Sequence, residues 1–237
     1  MRARYLLVVP ALLALTGCVV DVGSRDGSAV QYSSESVDMD NSEVVRVELK
    51  MGAGDLRIID GGAKLMRGDF AFSVPSWKPQ VRYTRSGRQG SLTIEQPDTH
   101  HTRLGNTKYS WDLQLNKKAP VELVLHFGAG QARLDLGSLD LRGVELDMGV
   151  GQLDMDLRGA PKHSYNVAIH GGIGEATVRV SADAGVYAEA HGGIGAINVR
   201  GLQQEEGHWV SPTYESAANK IHIEVQGGIG QVNVIAD

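Results

Sequence analysis

The feature that most constrains the fold of this chain is a recurring corner, Gly-x-Gly with a small or aliphatic middle residue. Alternating apolar and polar residues precede and follow each corner, and this period of two is that of a β-strand. Glycine permits the positive φ angles that let a chain turn sharply between strands. The corners begin at Gly52, Gly128, Gly149, Gly172, Gly193 and Gly228.

The spacing of the corners indicates a stacked repeat. The first glycines of the four central corners are 21, 23 and 21 residues apart, and the last gap is 35 residues. A fixed period with two short strands in each repeat is typical of a β-solenoid. A sandwich of hairpins is the alternative, but the constant spacing favours stacked coils. The sequence therefore predicts an all-β solenoid with Gly-x-Gly corners and, after residue 17, no long helices, because no run shows helical periodicity.

The N-terminus resembles a bacterial lipoprotein signal peptide. An apolar run over residues 5–15 follows two arginines and is too short to span a bilayer. It ends in Leu15, Thr16 and Gly17 before Cys18, which resembles a lipobox; in that family, cleavage leaves the cysteine with attached acyl chains. Cys18 is the single cysteine, so no internal disulfide is available. An ordinary signal peptide with a chance cysteine is the alternative.

Three segments follow from this reading. Residues 1–17 are predicted to be the signal peptide, and residues 18–42 the lipidated cysteine and a flexible tether rich in Ser, Asp and Gly. Residues 43–237 are predicted to form the solenoid. Its less regular stretch, 43–96, is expected to hold atypical N-terminal coils, since terminal repeats usually deviate.

A central part of the chain resembles the bacterial toast-rack family. Residues 111–113 (Trp-Asp-Leu), 118–123 (Lys-Ala-Pro-Val-Glu-Leu) and 127–136 (Phe-Gly-Ala-Gly-Gln-Ala-Arg-Leu-Asp-Leu) carry the resemblance, and repeated Gly-Gly-Ile-Gly corners continue it. The family includes the C-terminal part of LiaF-like regulators of envelope-stress signalling. The resemblance implies a glycine-cornered β-solenoid in the cell envelope. A lipobox in place of membrane-spanning helices distinguishes this chain from LiaF-like members and weighs against a signalling role.

The net charge and the predicted lipid anchor indicate which partners and which cellular location to expect. Formal net charge is -5, and losing Arg2 and Arg4 with the signal peptide would leave -7, so no basic footprint for nucleic acid is present. The expected partner is a membrane, through lipid on Cys18. Val19 in place of Asp after the cysteine resembles outer-membrane sorting. The predicted location is the outer membrane facing the periplasm in a Gram-negative cell, otherwise the outer face of the cytoplasmic membrane.

The sequence contains no complete catalytic motif. His170-Gly171-Gly172 resembles an esterase oxyanion loop, but no Gly-x-Ser-x-Gly nucleophile elbow accompanies it. Gly172-Ile173-Gly174 resembles a dinucleotide loop, but a strand pattern follows where a helix is needed. We therefore predict a protein that is not an enzyme and has no cofactor, with a carbohydrate-acting β-helix enzyme as a weaker alternative.

Equivalent positions of the repeat carry a candidate site. His126, Asp147, His170 and His191 each lie two residues before a corner. Stacked strands are about 4.8 Å apart, so these side chains are predicted to form an outward column. Such a column could bind zinc or another divalent ion, or could become charged below about pH 6 and repel. A plain polar ladder facing solvent is the simpler interpretation.

The insertion over residues 202–219 is the other candidate contact site. Trp209 and Tyr214 stand out in an aromatic-poor chain and suit an envelope protein or a glycan partner. Alternatively, Trp209 covers a sheet edge, since exposed edges need protection. The last coil is expected to end at Asp237 without a polar cap, so end-to-end pairing of two copies is a further hypothesis.

These observations favour a non-enzymatic, lipid-anchored envelope protein whose solenoid serves as a binding or scaffolding surface. The alternative is an envelope-stress sensory or regulatory module of the LiaF type, which depends on the family resemblance alone.

Overall fold

The computed structural model describes residues 29–97 and 107–237. The described chain is built from β-strands and one short 3-10 turn, Pro75–Trp77. The strands are β1 (Gln31–Val37), β2 (Val44–Asp60), β3 (Met66–Phe72), β4 (Gln80–Ser86), β5 (Gln89–Glu95), β6 (Tyr109–Leu115), β7 (Pro120–Asp135), β8 (Asp140–Asp156), β9 (Tyr165–Val180), β10 (Gly185–Arg200), β11 (Gln203–Glu205), β12 (His208–Val210) and β13 (Lys220–Ala236).

Six long strands (β2, β7, β8, β9, β10 and β13) are the coils, each with a corner near its middle. The last glycine of each corner has a positive φ, for example 131° at Gly130 and 148° at Gly174, which side chains with a Cβ rarely adopt. Each long strand therefore bends there into a first and a second half. Neighbouring coils pair in parallel with their corners in register, as Gly130 pairs with Gly151. The predicted β-solenoid is confirmed.

Tight turns return the chain from the second half of one coil to the first half of the next. The amide of Leu139 donates to the carbonyl of Leu136 at 3.0 Å between β7 and β8, and Ala184 donates to Ser181 at 3.0 Å between β9 and β10. In β7 and β8, alternate residues of both halves point inward and are buried. One hydrophobic core therefore runs through the stack.

The stacking order departs from the order of the chain. The long strands follow β2-β7-β8-β9-β13-β10, so the last strand of the sequence lies between β9 and β10. The expectation that Asp237 ends the last coil is therefore wrong, and β10 is the terminal coil. The sequence pattern does not reveal this order, because the corners of β9, β10 and β13 are all Gly-Gly-Ile-Gly. The connection over residues 201–219 is long enough for the chain to return from the end of β10 to the start of β13, which lies between β9 and β10.

The N-terminal region adds strands of a different kind to the stack. Of the stretch 43–96, predicted to hold atypical coils, β2 alone is a coil. β5 pairs in parallel with the first half of β2 and forms a hairpin with β4. β6 pairs with the second half of β2, and β3 and β1 continue antiparallel from it. These strands cap this end of the core.

Strand β1 lies inside the predicted tether. It pairs antiparallel with β3 along its whole length, and Val37 packs against the core. The tether prediction for residues 18–42 is therefore wrong over Gln31–Val37, because serine and glutamate on this edge strand hide the strand periodicity. Cys18 and the three lipobox residues before it lie outside the described residues. Within the described residues, no helix is long and apolar enough to cross a membrane.

Candidate functional site

The positions two residues before the corners form the predicted outward column. Strand pairing places His126 beside Asp147, and Asp147 beside His170. Gln226 of β13 then separates His170 from His191, because β13 is inserted between β9 and β10. The structure thus brings three of the four predicted residues together and leaves His191 one strand further away.

Asp147 is the centre of this column. Nδ1 of His126 lies 3.0 Å from one carboxylate oxygen, and Nδ1 of His170 lies 3.2 Å from the other. Each contact is a hydrogen bond when the imidazole carries a proton on Nδ1, because a carboxylate oxygen accepts. All three side chains are nearly half exposed. Within the part of the chain that the structure describes, no group of three or more His, Cys, Asp or Glu residues could hold a metal ion.

Replacing Asp147 by alanine should change stability little. Exposed ion pairs contribute about 0–1 kcal/mol, because water screens them and side-chain entropy opposes them. We expect the free energy of unfolding to fall by less than about 1 kcal/mol in urea titrations followed by circular dichroism. His191→Ala, which leaves the Asp147 contacts intact, is the control. A loss several times larger for Asp147→Ala would contradict a solvent-exposed polar ladder.

A second cluster lies on the outer surface at the β10 end of the stack; we call it the aromatic face and define it as Tyr187, His208, Tyr214, Lys220 and His222. The Tyr187 ring stacks on His208 at 4.6 Å between centroids and meets the edge of His222 at 4.6 Å. Tyr214 lies 6.2 Å from Tyr187, and the Lys220 ammonium lies 4.2 Å from the Tyr214 ring centroid. Strands β10, β12 and β13 and the insertion supply these residues, so the face exists only because the insertion folds back.

Glu189 adds a carboxylate to the aromatic face. The Tyr187 hydroxyl donates to its Oε1 at 2.5 Å. This hydrogen bond, assisted by the charges of His222, His191 and His208, holds the pKa of Glu189 below its usual range. The same bond raises the pKa of Tyr187, since losing the proton would place two negative charges side by side. The face therefore combines aromatic rings, a carboxylate and a cation.

The two aromatic residues singled out from the insertion have different surroundings. Trp209 pairs with Ala188 of β10 and packs, half-buried, against the core at the end of the stack. Tyr214 belongs to the aromatic face. The sequence interpretation missed Tyr187 and His222, although both occupy outward positions of alternating strands. They became visible only when β13 and β10 were found to be neighbours, with Tyr187 paired to His222.

The chain matches the family described as the N-terminal domain of toast_rack over residues 26–179. Residues 127–234 match the family described as "Cell wall-active antibiotics response LiaF, C-terminal". No curated protein matches the chain.

One solved structure shares both the fold and part of the sequence of this chain. A protein from Clostridium sporogenes, described as "a putative cell adhesion protein", is 31% identical, with a TM-score of 0.83, and the match covers 88% of this chain and all of that one. "A putative adhesin" from Bacteroides fragilis is 8% identical, with a TM-score of 0.33, covering 88% of this chain and 98% of that one, and adds no argument. The toast-rack match spans more than half of the sequence. The chain therefore belongs to the toast-rack family.

Proposed function

We propose that this is a non-enzymatic, lipid-anchored cell-envelope protein whose β-solenoid acts as a binding or scaffolding surface. The observation that carries the proposal is the position of the aromatic face. The described chain begins beside β1 at one end of the strand order, and Tyr187 lies on β10 near the other end. Eight strand-to-strand steps separate β1 from β10, which corresponds to roughly 40 Å. An anchor at Cys18 would thus be joined to the end of the stack opposite the aromatic face.

The chemistry of the aromatic face favours a protein partner over a sugar. Sugars stack on open ring faces, whereas one face of Tyr187 is covered by His208 and the Lys220 ammonium lies over the Tyr214 ring. The exposed groups are ring edges, imidazoles and charges, which suit hydrogen bonds and ion pairs with another protein surface. The 31% identical relative is described as a putative cell adhesion protein, which supports a role in binding.

The anchor is tested by Cys18→Ala. A lipidated protein partitions with membranes because several acyl chains together give stable attachment. We expect nearly all of the wild-type chain in the membrane fraction and the variant in the soluble extracytoplasmic fraction, as measured by immunoblotting after ultracentrifugation. Ser24→Ala, a change of similar size downstream of the cysteine, should leave the protein in the membrane fraction. Membrane retention of Cys18→Ala would disprove the lipid anchor.

The aromatic face is tested by Tyr187→Ser/Tyr214→Ser. Both rings are partly exposed and belong to no core layer, so the fold should persist while the contact surface is lost. In crosslinking of intact cells followed by mass spectrometry, we expect a partner captured by the wild type to decrease at least tenfold. The control is Asn198→Ser/Asn233→Ser, which changes two outward residues in the second halves of β10 and β13. Equal capture by both variants would place the contact elsewhere, and release of bound polysaccharide would indicate a glycan partner.

The match of residues 127–234 to the LiaF C-terminal family supports one alternative, an envelope-stress sensory or regulatory module. Deletion of the gene should then change an envelope-stress reporter after exposure to a cell-wall antibiotic, and the Cys18→Ala protein should fail to restore it. An unchanged reporter would leave the binding role as the better explanation.

A further inference from the structure

The corners at the two ends of the stack differ in the position of their bulky side chain. One ladder of paired residues lies immediately before the corners. In β2, β7 and β8 it holds large buried side chains: Met51, Phe127 and Met148, which are 2%, 3% and 9% exposed. In β9, β13 and β10 the same ladder holds glycine: Gly171, Gly227 and Gly192.

The middle residue of the corner shows the opposite trend. It is alanine in β2 and β7, and a larger aliphatic residue in the four coils that follow. Those four are Val150, Ile173, Ile229 and Ile194, with exposed fractions of 49%, 53%, 50% and 72%. They pair in this order and form one continuous ridge. Contiguous apolar surface of this kind marks an interaction site or a ligand groove, because its exposure to water is unfavourable.

The backbone does not require glycine in this ladder. Neither Gly171 nor Gly227 has a positive φ. A Cβ added to Gly171 would come no closer than 4.0 Å to the backbone oxygen of Gln226, and one added to Gly227 would lie 3.5 Å from a methyl of Val232. Both are ordinary contacts, so larger side chains would fit. The missing side chains leave space that the fold itself could have filled.

That space is an apolar cavity of about 80 Å³. It crosses the three adjacent strands β9, β13 and β10, so it is roughly 10 Å long along the stack. Met148 closes it towards β8. At the other end Gly192 is exposed, and on the side of β10 away from β13 no described strand pairs with its second half. Its walls are aliphatic: Leu153, Ile169, Ile197, Val225 and Val232.

The polar residues at its border are engaged with one another. Gln226 donates to Glu224 at 2.6 Å, and Gln231 donates to Asn233 at 2.8 Å. Asn233 in turn donates to Glu175 at 3.1 Å. These hydrogen bonds leave hydrophobic contact as the main interaction that the cavity offers.

We propose that this cavity binds the unbranched aliphatic chain of a single-chain amphiphile such as a fatty acid. The aliphatic chain lies along the stack beneath the isoleucine ridge, and the polar head remains in water at the open β10 end. The volume equals roughly five to eight water-sized spheres, which takes a few carbons of a slim chain and excludes an aromatic ring system or a protein helix. The rest of the aliphatic chain would lie along the exposed isoleucine ridge. The ligand would cover apolar surface that the corners leave in water. The cavity is separate from the aromatic face and from Cys18, so the proposal does not depend on the proposed function.

The test uses the full-length Cys18→Ala chain, purified without detergent so that neither its own lipid nor added surfactant competes. The probe is 11-(dansylamino)undecanoate, whose fluorescence rises in an apolar site. We expect saturable binding of one probe per chain, displaced by dodecanoate and by dodecyl lysophosphatidylcholine. Gly171→Met/Gly227→Met, which restores the side chain found at Met148, should weaken binding at least tenfold. Gly143→Met, a glycine in β8 with room for a Cβ and outside the cavity, should bind as the parent does.

Ile194→Asp provides a second variant that does not depend on core packing, since this side chain is 72% exposed. A charge at the open end should also weaken probe binding at least tenfold without changing the circular dichroism spectrum. Equal probe binding by the parent and both cavity variants would overturn the proposal. So would a parent that is dimeric by light scattering and binds no probe while Ile194→Asp is monomeric, because a second copy would then cover the ridge. Binding to phosphatidylcholine vesicles without binding of the free probe would equally overturn it.

Discussion

Replacing Gly174 by alanine is expected to disrupt the solenoid strongly, although it adds only one methyl group. Gly174 has a φ of 148°, and a Cβ there would overlap the carbonyl oxygen of Gly151 in the neighbouring coil. Backbone strain of this kind costs about 1–3 kcal/mol, and overpacking against rigid backbone costs a similar amount. We expect the free energy of unfolding to fall by roughly 3–5 kcal/mol, a large part of the stability of an ordinary domain.

The matched control is Gly171→Ala, three residues earlier in the same strand. There φ is not positive and a Cβ has room, so the variant should keep the parental stability or gain up to about 1 kcal/mol. Guanidinium titrations of the soluble Cys18→Ala chain, followed by circular dichroism, measure both. Equal transition midpoints for Gly174→Ala and Gly171→Ala would mean that the corners tolerate ordinary residues, and the in-register contact of corner backbones would then be wrong.

The same corners explain how much of the fold could be predicted from sequence. Strand periodicity on both sides of each corner, such as Leu123 and Leu125 before Gly128, is a local pattern and it predicted the coils correctly. Predicting the order of stacking requires a comparison between coils, and several coils of this chain have the same local pattern. Ile173, Ile194 and Ile229 occupy identical corners, so sequence alone could not decide which coils are neighbours. The insertion, through the pairing of β12 with β10, completes the arrangement.

The candidate site was predicted only in part for the same reason. His126, Asp147 and His170 lie on coils that are consecutive in both sequence and space, so their proximity followed from the period. The aromatic face depends on a non-sequential neighbour, since Tyr187 meets His222 through the inserted β13. Outward residues of alternating strands carry no signal of which other strand will lie beside them.

Filling the corner cavity should make the protein more stable. Enclosed apolar volume costs about 24 cal/mol per Å³, so a cavity of about 80 Å³ that is open at one end corresponds to at most roughly 2 kcal/mol. Replacing glycine within a strand contributes a further 0.5–1 kcal/mol or so. A methionine cannot fill the space perfectly, so we expect Gly171→Met to raise the free energy of unfolding by about 1–2 kcal/mol. In calorimetry, this corresponds to a rise in Tm of roughly 2–8 °C for a chain of this size.

Gly143→Met is again the control, because it adds the same side chain outside the corner cavity and should leave Tm nearly unchanged. The effect of a ligand on Tm provides a second test of the cavity. A molecule that binds only the folded state raises its stability, so dodecanoate should raise the Tm of the parent and leave that of Gly171→Met/Gly227→Met unchanged. A destabilised Gly171→Met would show that the space is closed in solution. If the methionine variant is more stable than the parent and no longer binds dodecanoate, the glycines at positions 171 and 227 serve ligand binding and lower the stability of the fold.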